Sequence, residues 1–130
     1  RALRQVQVLF LVDTLEYLAK GGRIGKAQAL LGSMLSIKPL LELRDGEVHP
    51  LERVRTRTRA VARLVELVQE TAPLQELAVL HSTTPEEAQA LENRLATLAP
   101  EGGTMIGRLG SVVGTYAGPG ILGVGLRRAE

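Results

Sequence analysis

Ile37-Lys38-Pro39-Leu40-Leu41-Glu42-Leu43-Arg44-Asp45-Gly46-Glu47-Val48-His49-Pro50-Leu51-Glu52-Arg53-Val54 reads as two strands and a tight turn. Ile37 to Leu43 alternates weakly between apolar and polar residues, and Val48 to Val54 returns as its partner. Between them, Arg44-Asp45-Gly46-Glu47 centres on Asp-Gly, a pair that tolerates the positive φ of a short hairpin. Part of the sheet is therefore antiparallel. Pro50 offers no N–H to a ladder and puts its strand at an edge. Strands and amphipathic helices interleave around this hairpin, so the expected class is α/β of the α+β kind. The expected architecture is a two-layer sandwich, a mixed sheet with helices mostly on one face.

Upstream, Val6 to Val12 is β-rich and apolar, a buried strand. Asp13 followed by Glu16 predicts a capping box on a short helix that ends at Gly21. Lys26 to about Met34 reads as a second helix, with Ala27, Leu30, Leu31 and Met34 on one face. Downstream, Arg57 to about Thr71 predicts a helix with the stripe Val61, Leu64, Val65 and Val68. A strand ending at His81 follows, starting at Leu74 or Leu77. Thr84-Pro85-Glu86-Glu87 then opens a helix, with Thr84 as its cap, Pro85 at the first helical position and Glu87 closing a capping box; it buries Ala88, Leu91, Leu95 and Leu98 and stops before Pro100. Strands at Thr104 to Leu109 and Ile121 to Leu126 complete the pattern. With no internal repeat or linker, residues 1–130 read as one domain.

Composition narrows the function classes. Sixteen Lys plus Arg against fourteen Asp plus Glu leave a net charge of +2, too little to point to nucleic acid. One Phe, two Tyr and no Trp make the core aliphatic and argue against base stacking. The absence of cysteine rules out disulfides and thiolate metal sites and fits a cytoplasmic protein. No apolar run approaches the roughly 18–20 residues of an integral membrane segment. The chain opens on Arg1-Ala2-Leu3-Arg4, without Met, as a fragment would.

Two glycine-rich stretches carry the candidate chemistry. Tyr17-Leu18-Ala19-Lys20-Gly21-Gly22-Arg23-Ile24-Gly25-Lys26 sets paired glycines beside an arginine and a helix start. Uncovered amides at Gly22 with the planar guanidinium of Arg23 suit a carboxylate or phosphate; a glycine-capped helix with a surface arginine is the plainer alternative. The second stretch is Gly114-Thr115-Tyr116-Ala117-Gly118-Pro119-Gly120-Ile121-Leu122-Gly123. Arg53, Arg55, Arg57 and Arg59 fall at every second position and, if extended, share one face as a basic ridge, either a docking surface for an acidic partner or a solvated strand-to-helix junction. His49 and His81 have neither metal-pair spacing nor a local carboxylate partner, so no metal site and no catalytic residue are predicted.

Taken together, Asp13-Thr14-Leu15-Glu16-Tyr17-Leu18, the Lys20-to-Gly25 turn, Leu35-Ser36-Ile37-Lys38-Pro39 and the Gly118-Pro119-Gly120 turn resemble the C-terminal half of DegV-family proteins, bacterial fatty-acid-binding proteins. The resemblance runs over nearly all 130 residues. It implies a lipid-binding domain that holds a long-chain fatty acid, performs no bond chemistry, needs no cofactor and presents the acyl chain to a fatty acid kinase. It also implies an N-terminal domain, absent from this chain, whose hydroxyls complete the head-group site. Arg23, Gly22, Thr115 and Tyr116 would take the carboxylate, and Ile24, Leu30, Leu31, Met34, Leu35 and Ile37 would line the acyl slot. Most relatives have a histidine where this chain has Tyr116; a phenol donates a hydrogen bond but stays neutral near pH 7.

Two other classes compete. A phosphate- or nucleotide-binding enzyme domain rests on the glycine turns, but neither a P-loop nor a Rossmann spacing is present. A basic interaction module rests on the arginine ridge alone.

Overall fold

The computed structural model describes residues 6–36, 38–44, 46–108 and 119–129, the side chains of 31–36 and 108 excepted. In chain order the elements are β1 (Gln7–Leu11), α1 (Glu16–Lys20), a 3-10 helix (Gly25–Ser36), β2 (Lys38–Arg44) and β3 (Glu47–Val54). They continue with α2 (Arg57–Thr71), β4 (Leu74–His81), α3 (Pro85–Arg94), a short 3-10 turn (Ala96–Leu98), β5 (Met105–Arg108) and β6 (Leu122–Arg128). The strands form one sheet in the order β3-β2-β1-β6-β4-β5. Every neighbouring pair is antiparallel except β4 and β5, so the sheet is mixed, as expected.

The hairpin forms where the sequence places it. Gly46 takes φ +76°, β2 and β3 pair from Arg44↔Glu47 outward, and β3 is the edge strand that Pro50 requires. The register slips between Leu40 and Leu41, which pair with Glu52 and Pro50. Leu51 is thus the extra residue, a bulge directly after Pro50 on the edge strand.

Strand alternation then divides the core in two. Leu9 and Leu11 of β1, Leu40 of β2, Leu77 and Val79 of β4, and Leu122, Val124 and Leu126 of β6 face α2 and α3. Those helices answer with Ala60, Leu64, Val65 and Val68, and with Ala88 and Leu91. On the opposite face Leu41 and Val48 meet Val12, Leu15, Leu18, Ala27 and Leu30, with Phe10 and Ile24 packed against them. The two long helices thus lie on one face, as predicted. Among the described residues, α1 and the 3-10 helix lie over the β1-β2-β3 end of the other face.

Three local expectations change. Asp13 does not cap α1: the helix starts after Leu15 with no side-chain cap bond, and Thr14 Oγ1 accepts from the Glu16 amide at 3.1 Å. The stretch after Gly25 winds as a 3-10 helix, with Gly25 in the left-handed region at φ +54°. Thr84 precedes α3 without a side-chain cap bond, and Glu87 turns to Arg57 instead of closing a box. In both capping cases a carboxylate finds a charged partner across the fold, a stronger attraction than a neutral amide offers.

Gly25 and Gly46 provide a matched test of these turns. Both have positive φ, but a Cβ at Gly25 would sit 2.6 Å from the Val48 carbonyl oxygen, whereas at Gly46 it would meet open space. Gly46→Ala should cost about 1–2 kcal/mol for left-handed backbone alone. Gly25→Ala should cost about 1–3 kcal/mol more, because β3 must move away from the 3-10 helix. Chemical denaturation of both variants checks the order, and equal losses would show that this contact does not set the packing.

Candidate functional site

The Gly21-Gly22-Arg23 turn ends α1 in a particular way. The Gly22 amide donates to Ala19 O at 3.2 Å, the Arg23 amide to Leu18 O at 2.9 Å, and Gly22 takes φ +71°. This is a Schellman cap, in which a left-handed glycine lets its own amide and the next one satisfy the last carbonyls of the helix. The expectation of uncovered amides at this turn is thereby corrected, since the helix end uses them. The Arg23 side chain is exposed, and Nη1 donates to the Gly21 carbonyl at 2.7 Å. An anion-binding reading of this turn rests on the guanidinium.

The second glycine-rich stretch is described from Pro119 onward; Thr115 and Tyr116 lie outside the described residues. Its Gly120 sits where β1, β4 and β6 end together, with φ +81°, and any Cβ there would run into the Asp13 carboxylate. The Gly120 amide donates to Thr83 Oγ1 at 3.0 Å, and the Ile121 amide donates to Ser82 Oγ at 3.0 Å. The carbonyl of Gly120 accepts from Arg57 Nη2 at 2.8 Å.

Arg57 does not belong to a basic ridge. β3 ends at Val54 and α2 begins at Arg57, so the four arginines never share an extended backbone. Arg57 turns inward, donating through Nη1 to Asp13 at 2.7 Å and through Nε and Nη2 to both Glu87 oxygens at 2.8 Å. Partial burial works against its charge, yet Glu87 and Asp13 outweigh it and the guanidinium is held above its ordinary value. Arg53, Arg55 and Arg59 remain exposed at the β3-to-α2 corner and in no ion pair with the described residues, while Arg63 draws in Glu52, Glu66 and Glu70. The Thr56 side chain caps α2 by accepting from the Arg59 amide.

Of the proposed acyl-lining residues, Leu30 is buried and Ile24 half-buried in the second core under α1 and the 3-10 helix. The side chains of Leu31, Met34 and Leu35, and the whole of Ile37, are outside the described residues. A different apolar surface is open. On the face away from α2 and α3, register sets Phe10, Gly123, Leu80 and Gly107 in one row across the sheet. Val8, Gly125, Ala78 and Met105 form the next row. Gly125 and Ala78 keep the floor of this second row low, and a trough of about 420 Å³ lies over it between Val6, Val8, Leu80, Met105 and the Pro100–Gly103 turn, whereas Gly123 is buried with Leu9 and Phe10 of β1 close against it. Met105 is 72% exposed and Val6 48%. The alternating glycines of Leu122-Gly123-Val124-Gly125 were the sequence signal for this floor.

His81 is buried at the end of β4 with Nδ1 unpartnered among the described residues, and His49 lies 3.5 Å from Glu47. Among the described residues no group of His, Cys, Asp and Glu could hold a metal, and no helix is long and apolar enough to cross a membrane.

Comparison with known proteins matches residues 2–129 to a family model described as an uncharacterised protein of the DegV family. A DegV domain-containing protein of Streptomyces coelicolor is 48% identical over 119 residues, covering 88% of this chain and 42% of its own length. Protein DegV of Bacillus subtilis is 37% identical over 125 residues, covering 93% of the chain and 44% of its own. Among solved structures, a fatty-acid-binding DegV family protein of Streptococcus agalactiae superposes with a TM-score of 0.84 at 34% identity. It covers 96% of this chain and 45% of that protein. A fatty-acid-binding DegV protein of Thermus thermophilus superposes with a TM-score of 0.83 at 32% identity, covering 95% and 45%. The chain therefore spans less than half the length of these relatives.

The Arg57–Glu87 pair makes acid stability a direct readout of the strand-end cluster. Hydrogen bonds from Arg57 hold the Glu87 carboxyl below its ordinary value of 4.5, against the opposing effect of partial burial. A depressed carboxylate contributes stability that is fully present above its unfolded value and lost as pH falls through its folded one. Glu87→Gln should cost about 1 kcal/mol near pH 7, discounted because the group is well exposed to solvent. That difference should shrink as pH falls from the ordinary value of 4.5 through the lower folded-state value. Unfolding midpoints of both proteins across this window test it; a gap that stays constant would mean the pair does not couple to folding.

Proposed function

The chain belongs to the DegV family, and from that membership we propose that it is the part of a fatty-acid-binding protein that holds the acyl chain. The observation that carries this reading is the apolar trough over Gly125 and Ala78, a face of the sheet that no helix covers among the described residues. A saturated chain has no polar group to satisfy and gains about 0.8 kcal/mol per buried methylene, so it needs a long, shallow aliphatic surface.

In this reading the carboxylate end lies towards the two glycine-rich stretches. Arg23 supplies the guanidinium, beside Gly22, with Thr115 and Tyr116 from the second stretch. The protein binds reversibly and carries out no bond chemistry; any acyl phosphorylation belongs to a kinase partner. Arg53, Arg55 and Arg59 offer that partner a basic corner, without Arg57. Membership supports the reading because the Streptococcus agalactiae and Thermus thermophilus relatives are fatty-acid-binding proteins.

Two substitutions in the full-length protein test it. Gly125→Val puts a side chain into open trough, since a Cβ there has only contacts at 3.9 Å to Leu80 and Val6. Long-chain fatty acid affinity should fall at least tenfold while the melting temperature holds. Arg23→Ala should weaken binding by about 1.5–3 kcal/mol, roughly ten- to a hundredfold, with Arg23→Lys recovering part of it. Mass spectrometry of small molecules released from the denatured protein identifies the ligand, and a nucleotide in place of a fatty acid would overturn the lipid reading.

A further inference from the structure

We propose that Arg57 is a positioning residue for lipid binding, holding in register the segment that leads to Arg23 and the strand that floors the trough. This assignment rests on the fatty-acid reading above. One guanidinium at the start of α2 reaches three segments far apart in sequence: Asp13 after β1, Glu87 on α3 and the Gly120 carbonyl before β6. From Asp13 the chain runs into α1 and the Arg23 turn. From Gly120 it runs into Gly123 and Gly125. Arg57 therefore stands where the head-group side and the acyl floor diverge.

The junction has little freedom of its own to find this arrangement. Thr83 and Ser82 hold the Gly120 and Ile121 amides, and the Ser82 amide returns a bond to the Ile121 carbonyl at 3.2 Å. The Asp13 carboxylate occupies the space a Cβ at Gly120 would need, so the two segments touch directly. The Gly120 carbonyl and the Asp13 carboxylate are both acceptors packed together; a cation between them removes their repulsion, and Arg57 supplies it. Glu87 clamps the other edge of the same guanidinium with both oxygens, which sets the plane of the fork. A lysine at this position carries the charge but cannot hold a bidentate carboxylate, a second carboxylate and a carbonyl at once.

The test uses the delipidated full-length protein titrated with oleate, with melting temperature and amide exchange measured in parallel. Arg57→Lys should bind oleate at least tenfold more weakly, with faster exchange at Gly120 and a melting temperature within a few degrees of wild type. Arg63→Lys removes the same fork from the Glu52–Glu66–Glu70 cluster, remote from the trough, and should leave oleate affinity unchanged at a comparable thermal shift. Affinity that follows melting temperature across both variants, or wild-type affinity in Arg57→Lys, overturns the assignment while leaving the lipid reading intact. A wild-type protein that takes up no oleate overturns the lipid reading and this assignment with it.

Discussion

A β-strand must send successive side chains to opposite faces, and the sheet of this protein is organised by how β6 meets that constraint. Leu122, Val124 and Leu126 turn towards α2 and α3 and are buried there. Gly123 and Gly125 turn the other way, in the middle of the sheet, flanked by Phe10 and Val8 on β1 and by Leu80 and Ala78 on β4. One face is thus filled by helices. On the other, among the described residues, α1 and the 3-10 helix lie over the β3 end, and the floor at Gly125 and Ala78 is low.

Charge places the loops around that sheet. The arginines in Arg53-Val54-Arg55-Thr56-Arg57-Thr58-Arg59 look equivalent by spacing, yet Arg57 alone turns in, because Asp13, Glu87 and Gly120 converge at the start of α2. A partly desolvated guanidinium needs that degree of pairing, and solvent-facing neighbours do not. Arg23 illustrates a third use: its turn closes α1 as a Schellman cap, and its side chain returns to the Gly21 carbonyl. The same residue type thus serves as hub, surface charge or helix-end ligand, according to which carbonyls and carboxylates the fold gathers near it.

These two features meet at the ends of β1, β4 and β6. Ser82, Thr83 and Arg57 bind the backbone of Gly120 and Ile121, just before β6 begins its glycine alternation.

The sequence alone determined the elements and much of the class. The Asp45-Gly46 hairpin, Pro50 at an edge, the α2 stripe and the start of α3 at Pro85 were legible because φ preference, ring chemistry and side-chain period act within a few residues. Local patterns misled where a distant charge won: Asp13 fits an N-cap and Glu87 the closing position of a capping box, yet both serve Arg57. Strand order was not legible, since β6 enters between β1 and β4 from the far end of the chain. The trough was hidden for the same reason. Alternating glycines in one strand acquire meaning only when register sets them beside Phe10, Val8 and Leu80, and the hub only when residues 44, 30 and 63 positions from Arg57 are folded onto it. Tertiary structure decided both, because contacts between distant segments depend on the packing of the whole sheet and not on any local preference.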